Sequence, residues 1–209
     1  MFSRVVFVGL AACATAAPSI SRDGGNPGDA QPITNGDAPP HGDAATSGCS
    51  FTGALATWDF SAQAGGEATV AAATTASGVT AGPVTRAAAL TATAGAGSIN
   101  SNNWPSSGAL DSTKYYAFTI APPTGCSLKL SSIAVDAKAS GTGPANAVLA
   151  TSADAFAATA AVSTSAPSSP TITVTSSTSL EIRLFGYSAS ATTGTLRVET
   201  TLTINGSIE

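Results

Sequence analysis

Glu181, Arg183, Phe185 and Tyr187 stand at alternate positions of the segment SLEIRLFGY, and Arg197 and Glu199 do the same in TLRVETT. Between them stand Leu180, Ile182, Leu184, Leu196 and Val198. An extended chain sends successive side chains to opposite faces, so the aliphatic set points to a core and the charged and aromatic set points away from it. Taken as a closing β-hairpin from Ser179 to Gly206, the two strands place Arg183, Phe185, Tyr187 and Arg197 on one outer face. Such a face suits a sugar, whose apolar ring face stacks on an aromatic while its hydroxyls take directed hydrogen bonds. Trp104 and Tyr115 extend the surface in this reading. The competing reading pairs Arg183 with Glu199, or Arg197 with Glu181, as cross-strand ion pairs and covers Phe185 and Tyr187 with the intervening loop.

Other chemistry is harder to assemble. The chain has one histidine, His41, and it lies ahead of the patterned region, so a Ser-His-Asp or Cys-His arrangement has no base. A glycosidase needs only two carboxylates, and Asp59, Asp111, Asp136, Asp154, Glu181 and Glu199 are scattered candidates for an alternative hydrolase reading. No glycine-rich phosphate loop opens a helix. Asp59 and Glu199 are the candidates for a structural calcium tying the first and last strands, a site that would need six or more oxygens in all. No other cofactor is expected, and the chain is expected not to be an enzyme.

Three cysteines pose a pairing question. With Cys13 lipidated or removed, Cys49 and Cys126 are left either as a disulfide in an oxidising compartment or as two separate buried thiols. They do not make a zinc site, because no histidine accompanies them.

Composition narrows the setting. Hydrophobic residues make up 43%, carried by Ala, and charged residues only 10%, against about 25% in ordinary soluble domains. A net charge of -4 argues against a nucleic-acid partner, which requires a concentrated basic face. Residues 1–12, with Arg4 ahead of a short apolar run, read as a signal peptide too short to span a bilayer. Leu10-Ala11-Ala12-Cys13 resembles the bacterial lipobox, which makes Cys13 a lipidated residue and the membrane a partner. Two or more acyl chains anchor a protein stably where one does not. Ala14 in place of Asp resembles the outer-membrane sorting pattern, and the alternative is ordinary secretion with cleavage after Ala16. Residues 13–48 are dense in Pro, Gly, Asp and Asn and read as a disordered tether, whose Asp-Gly steps lack the fixed period of a calcium repeat.

The elements that would hold the outer face lie in residues 49–209. ALATWDFSA alternates with Ala56, Trp58 and Phe60 on one side; KYYAFTIAP does so with Tyr116, Phe118 and Ile120. CSLKLSSIAVDAKASG carries Leu128 and Leu130, then Ile133 and Val135, and this switch of parity predicts a bulge at Ser131-Ser132. Weaker strands are expected over 67–74, 84–93, 147–151, 158–163 and 171–175. About ten short strands without a convincing amphipathic helix predict an all-β, antiparallel β-sandwich.

LATWDF, SINSNNWPSSGALDSTKYYAFTIAPPTGCSLKLSSIAVD, SGTGPANAVLATSADAF and EIRLFGYSASATTGTLRVETTLTING together resemble a bacterial surface-associated β-sandwich module. That module recurs in proteins with exported-protein sorting tails and beside secreted hydrolase domains. The resemblance implies a jelly-roll-like fold similar to carbohydrate-binding modules. It assigns no ligand, and Glu199-Thr200 stands where the module carries Asp-Asn. The resulting expectation is a lipid-anchored envelope protein with a non-catalytic binding module, its partner an extracellular glycan or another envelope protein.

Overall fold

A computed structural model describes residues 48–209. The signal segment, Cys13, Ala16, His41 and the tether up to residue 47 lie outside the described residues.

In chain order the described residues form β1 (Phe51–Asp59), β2 (Ala64–Gly65), β3 (Thr69–Val70), β4 (Thr74–Thr75), β5 (Thr80–Ala81), β6 (Val84–Arg86) and β7 (Thr91–Ala92). There follow β8 (Ser98–Asn102), β9 (Tyr115–Ala121), β10 (Leu128–Ala139), β11 (Pro144–Thr151), a 3-10 turn (Ser152–Asp154), β12 (Thr159–Val162), β13 (Thr171–Ser176), β14 (Leu180–Ala189) and β15 (Leu196–Ile208). They make two mostly antiparallel sheets. One has the order β13-β10-β15-β1-β4, with β8 joined to β15 and β2 and β7 joined to β8. The other has the order β12-β11-β14-β9-β6-β3, with β5 on β9. The all-β antiparallel sandwich expected from the pattern is the fold found.

The core lies between the sheets and follows the alternation. Trp58 of the first sheet meets Phe118 of the second edge to face at 5.2 Å, and its indole N–H donates to the Gly82 carbonyl at 3.0 Å. Trp104 meets Tyr116 in the same way at 5.5 Å, and the Tyr116 hydroxyl crosses the core to donate to the Leu196 carbonyl at 2.9 Å. Each aromatic thus buries a large apolar surface while its one polar group finds a partner, the condition under which Trp and Tyr are tolerated inside. The predicted bulge is present: both neighbours of β10 slip register between Leu130 and Ser132. A second slip between Ala54 and Ala56 explains why Leu55 is buried together with Ala56 and Trp58.

The closing hairpin is corrected. β14 pairs with β9 and β11, whereas β15 pairs with β1, β10 and β8, so the two strands belong to different sheets. The link between them crosses from one sheet to the other beside the link from β10 to β11. Ser140 donates its N–H to Thr195 O at 2.9 Å, Ser190 donates to Thr142 O at 3.1 Å, and the Thr195 N–H returns to Ser140 Oγ at 2.9 Å. Alternation along each strand is compatible with either arrangement, because both strands bury their aliphatic rows in the same core.

Cys49 and Cys126 form a disulfide spanning 77 positions, with Cα atoms 5.4 Å apart. It fastens the approach to β1 to the loop that leads into β10.

Candidate functional site

The site grows from the outer face of the second sheet, where register decides what stands beside what. Arg183 on β14 is flanked by Ala150 of β11 and Ala117 of β9, and Thr85 of β6 follows Ala117. Phe185 is flanked by Val148 and Tyr115, Tyr187 by Asn146, and Glu181 by Thr119. Small neighbours on both sides leave room above the sheet for the Arg183 guanidinium.

That room is taken by two aromatic rings. The guanidinium carbon lies 4.1 Å from the centre of Tyr115 and 4.0 Å from that of Phe156. At these distances the ring quadrupoles attract the cation. Arg183 Nε donates to Glu181 Oε1 at 2.6 Å, while its Nη groups make no hydrogen bond among the described residues. The Tyr115 ring also meets Phe185 edge to face at 5.7 Å.

Phe156 is delivered by the turn after β11. Ala155 and Phe156 both take left-handed backbone angles, φ 57° and 65°, a conformation that is costly away from glycine. The Phe156 N–H donates to Thr151 O at 2.8 Å, Asp154 Oδ2 accepts the Ala158 N–H at 2.7 Å, and Ser152 Oγ accepts the Glu181 N–H at 2.9 Å. The turn is therefore bonded to the same strand that carries Glu181 and Arg183. Beside the stack lies a trough of about 340 Å³ lined by Thr85, Arg86, Tyr115, Ala117, Thr119 and Glu181.

Arg86 is committed elsewhere. Its Nε donates to Ser101 Oγ at 2.5 Å, Nη1 to Glu67 O at 2.7 Å, and Nη2 to Asn100 O at 2.9 Å and Gly65 O at 3.2 Å. Burial raises the Glu67 carboxyl, but the backbone N–H groups it accepts, including those of Ala64 and Gly65, and the Arg86 charge hold it below its usual value.

The structure gathers only part of the expected platform. Arg183, Tyr115 and Tyr187 share one face, with Glu181 among them. Phe185 points outward as alternation requires but is covered, 4% exposed, by neighbours that include Val148 and Tyr115. Trp104 is corrected: it is 1% exposed and a core residue, its indole N–H donating to Ser101 O at 2.9 Å. Arg197 is corrected as well, because β15 places it on the outer face of the other sheet. There it pairs with Glu199 of its own strand at 2.6 Å, and Lys138 reaches the second Glu199 oxygen at 2.8 Å. Neither of the anticipated cross-strand pairs between β14 and β15 forms; each arginine bonds the glutamate two residues away on its own strand.

Both oxygens of Glu199 are thus held by cations, and Asp59 Oδ1 accepts the Ser61 N–H at 2.8 Å. Among the described residues no three His, Cys, Asp or Glu side chains come together as metal ligands. Asp136 and Glu199 are opposite each other in register on β10 and β15, but the Lys138 and Arg197 contacts make that pair part of a charge network. A carboxyl acting as general acid needs a raised pKa. Those with a resolved shift go the other way: Asp59 is lowered by the Ser61 backbone N–H, Asp111 by the Thr113 hydroxyl and N–H, and Glu67 as above.

Phe156 escapes the sequence reading. It is the single large side chain in SADAFAATA, a stretch with neither strand nor helix period, and an isolated aromatic in an alanine-rich loop is the available signal. No known protein family, curated protein or solved structure matches this chain.

Proposed function

We propose that this chain is a cell-surface protein whose β-sandwich is a non-catalytic glycan-binding module, held at the bacterial envelope by a lipidated Cys13 and the tether that follows it. The observation carrying the binding reading is the Phe156–Arg183–Tyr115 stack with Glu181 beside an open trough. An arginine stacked against two rings keeps unused donors, a carboxylate beside it supplies an acceptor, and half-buried aromatic rings adjoin both. Those are the groups that hold a sugar ring and its hydroxyls. The resemblance to a surface-associated sandwich module supports the setting, and the lipobox-like Leu10-Ala11-Ala12-Cys13 supports the anchor.

Binding of the full chain to a panel of soluble polysaccharides, read by affinity electrophoresis, tests the module. Tyr115→Ala is expected to weaken retardation about tenfold, by removing one face of the stack, with the far-ultraviolet dichroism unchanged. Undiminished retardation in a folded Tyr115→Ala variant would exclude this face. The mass of the mature amino-terminus tests the anchor: an acylated cysteine as first residue is expected, and a free amino-terminus at Ala17 or beyond overturns it.

A further inference from the structure

We infer that the Arg183 site selects neutral sugars, holding two vicinal hydroxyls between the Arg183 Nη groups and the free oxygen of Glu181, and discriminates against uronic and sulfated sugars. This rests on the glycan-binding reading above and adds to it the chemical class of the ligand.

Charge is the first consideration. Arg183 is neutralised at 2.6 Å by Glu181, which lines the trough, and Arg86, in the same lining, lies close enough to Glu67 to lower that carboxyl's pKa. The charged groups in the lining are Arg86 and Glu181, each with a partner of opposite sign, so no net field draws an acidic ligand in. A carboxylate or sulfate placed on the Nη edge would also meet Glu181, which shares the trough wall, and like charges in proximity oppose binding.

Geometry makes the complementary case. Tyr115 and Phe156 both lie about 4 Å from the guanidinium carbon and limit access to it, while Glu181 takes the Nε position and the Nη groups keep free donors. The Arg183 side chain is 21% exposed and that of Glu181 33%, enough for contact through an edge and too little for free rotation. What remains is a fixed row of donors next to a fixed acceptor. A hydroxyl both accepts and donates, so a vicinal diol can accept from Nη with each oxygen and donate one proton to Glu181 Oε2; a carboxylate can accept but has nothing to give the glutamate. Forgoing one hydrogen bond to a charged group lowers affinity by about one to two orders of magnitude.

The strained turn completes the device. Ala155 and Phe156 in left-handed conformation are bonded through Thr151 O and Ser152 Oγ to the strands that frame Arg183. Phe156 therefore acts as a positioning residue, keeping the guanidinium plane in register with the trough.

The test uses the full chain and affinity electrophoresis against neutral glucans, mannans, xylans and galactans alongside polygalacturonate, alginate and hyaluronan. Retardation confined to neutral polymers, and unmoved when salt is raised to about 1 M where exposed charges are screened, is expected. Glu181→Gln should weaken neutral binding about tenfold and bring acidic polymers to comparable or tighter binding, and Phe156→Ala should weaken neutral binding without altering the preference. Tighter binding of acidic polymers by the unaltered chain, falling with salt, would overturn the inference and leave the glycan module standing. Neutral binding indifferent to Glu181→Gln would overturn it too. Retardation by no polymer would remove both readings together.

Discussion

At the scale of single residues, two aromatics that look alike in sequence have different work. Trp104 and Tyr115 are both candidates for a surface by residue type, yet Trp104 stacks on Tyr116 inside the sandwich and Tyr115 stacks on Arg183 outside it. Trp104→Ala should therefore lower unfolding free energy by about 3–5 kcal/mol, as loss of a buried aromatic does. Tyr115→Ala, which uncovers part of Phe185, should lower the denaturant midpoint much less than Trp104→Ala while reducing glycan retention; equal destabilisation by both substitutions would refute the division. Acid sensitivity is also a residue-scale matter. Glu67 has its folded pKa held below the unfolded value of 4.5, so its contribution is present above that value and is lost as pH falls through the folded pKa. Glu67→Gln should accordingly narrow the loss of stability as pH falls below 4.5, measured as urea midpoints across a descending pH series. A variant whose midpoints fall in parallel with those of the unaltered protein would show that Glu67 has no part in it.

At the scale of elements, the sequence exposes parity and hides partnership. The inward rows Tyr116–Phe118–Ile120, Leu180–Ile182–Leu184 and Leu196–Val198 are all buried as their spacing implies, and the Ser131-Ser132 bulge follows from a parity switch that only an extra residue can produce. Which strand pairs with which depends on links whose residues carry no periodicity, and there the hairpin reading fails. The crossing is maintained by backbone packing: a Cβ on Gly194 would overlap the Thr142 carbonyl, and one on Gly143 the Thr195 carbonyl. Two glycines thus allow the two inter-sheet links to lie against each other, which a two-stranded hairpin turn would not require. Gly194→Ala is expected to destabilise by about 2–3 kcal/mol through this backbone overlap, seen as a lower denaturant midpoint with an unchanged slope. A midpoint within experimental scatter of the unaltered protein would mean that the links can separate freely. The candidate site is half legible for the same reason. Arg183, Phe185 and Tyr187 announce a common face by alternation, while the ring that completes the stack comes from a turn whose position only the fold decides.

At the scale of the whole sandwich, stability and binding are built in different places. The disulfide joins Cys49, ahead of β1, to Cys126, ahead of β10, and the adjacent Ser127 exchanges backbone hydrogen bonds with Glu209 at 2.7 and 2.9 Å. Both ends of the folded region are therefore fixed beside the first sheet, whereas the stack and trough are on the outer face of the second. Closing a loop of 77 positions restricts the unfolded chain by about 4 kcal/mol in the loop-entropy account. For a domain of this size that corresponds to a fall in melting temperature of roughly 10 °C on reduction. The bridge acts chiefly on the unfolded ensemble and neither of its cysteines lines the trough, so well below the new melting temperature affinity for a neutral glycan should be the same in reduced and oxidised protein. Calorimetry gives the first quantity and affinity electrophoresis the second, on the same samples. A reduced protein that keeps its melting temperature would remove the stabilising role of the bridge. One that stays folded but loses its ligand would show that the two sheets communicate, and that the outer face is held in shape from the far side of the core.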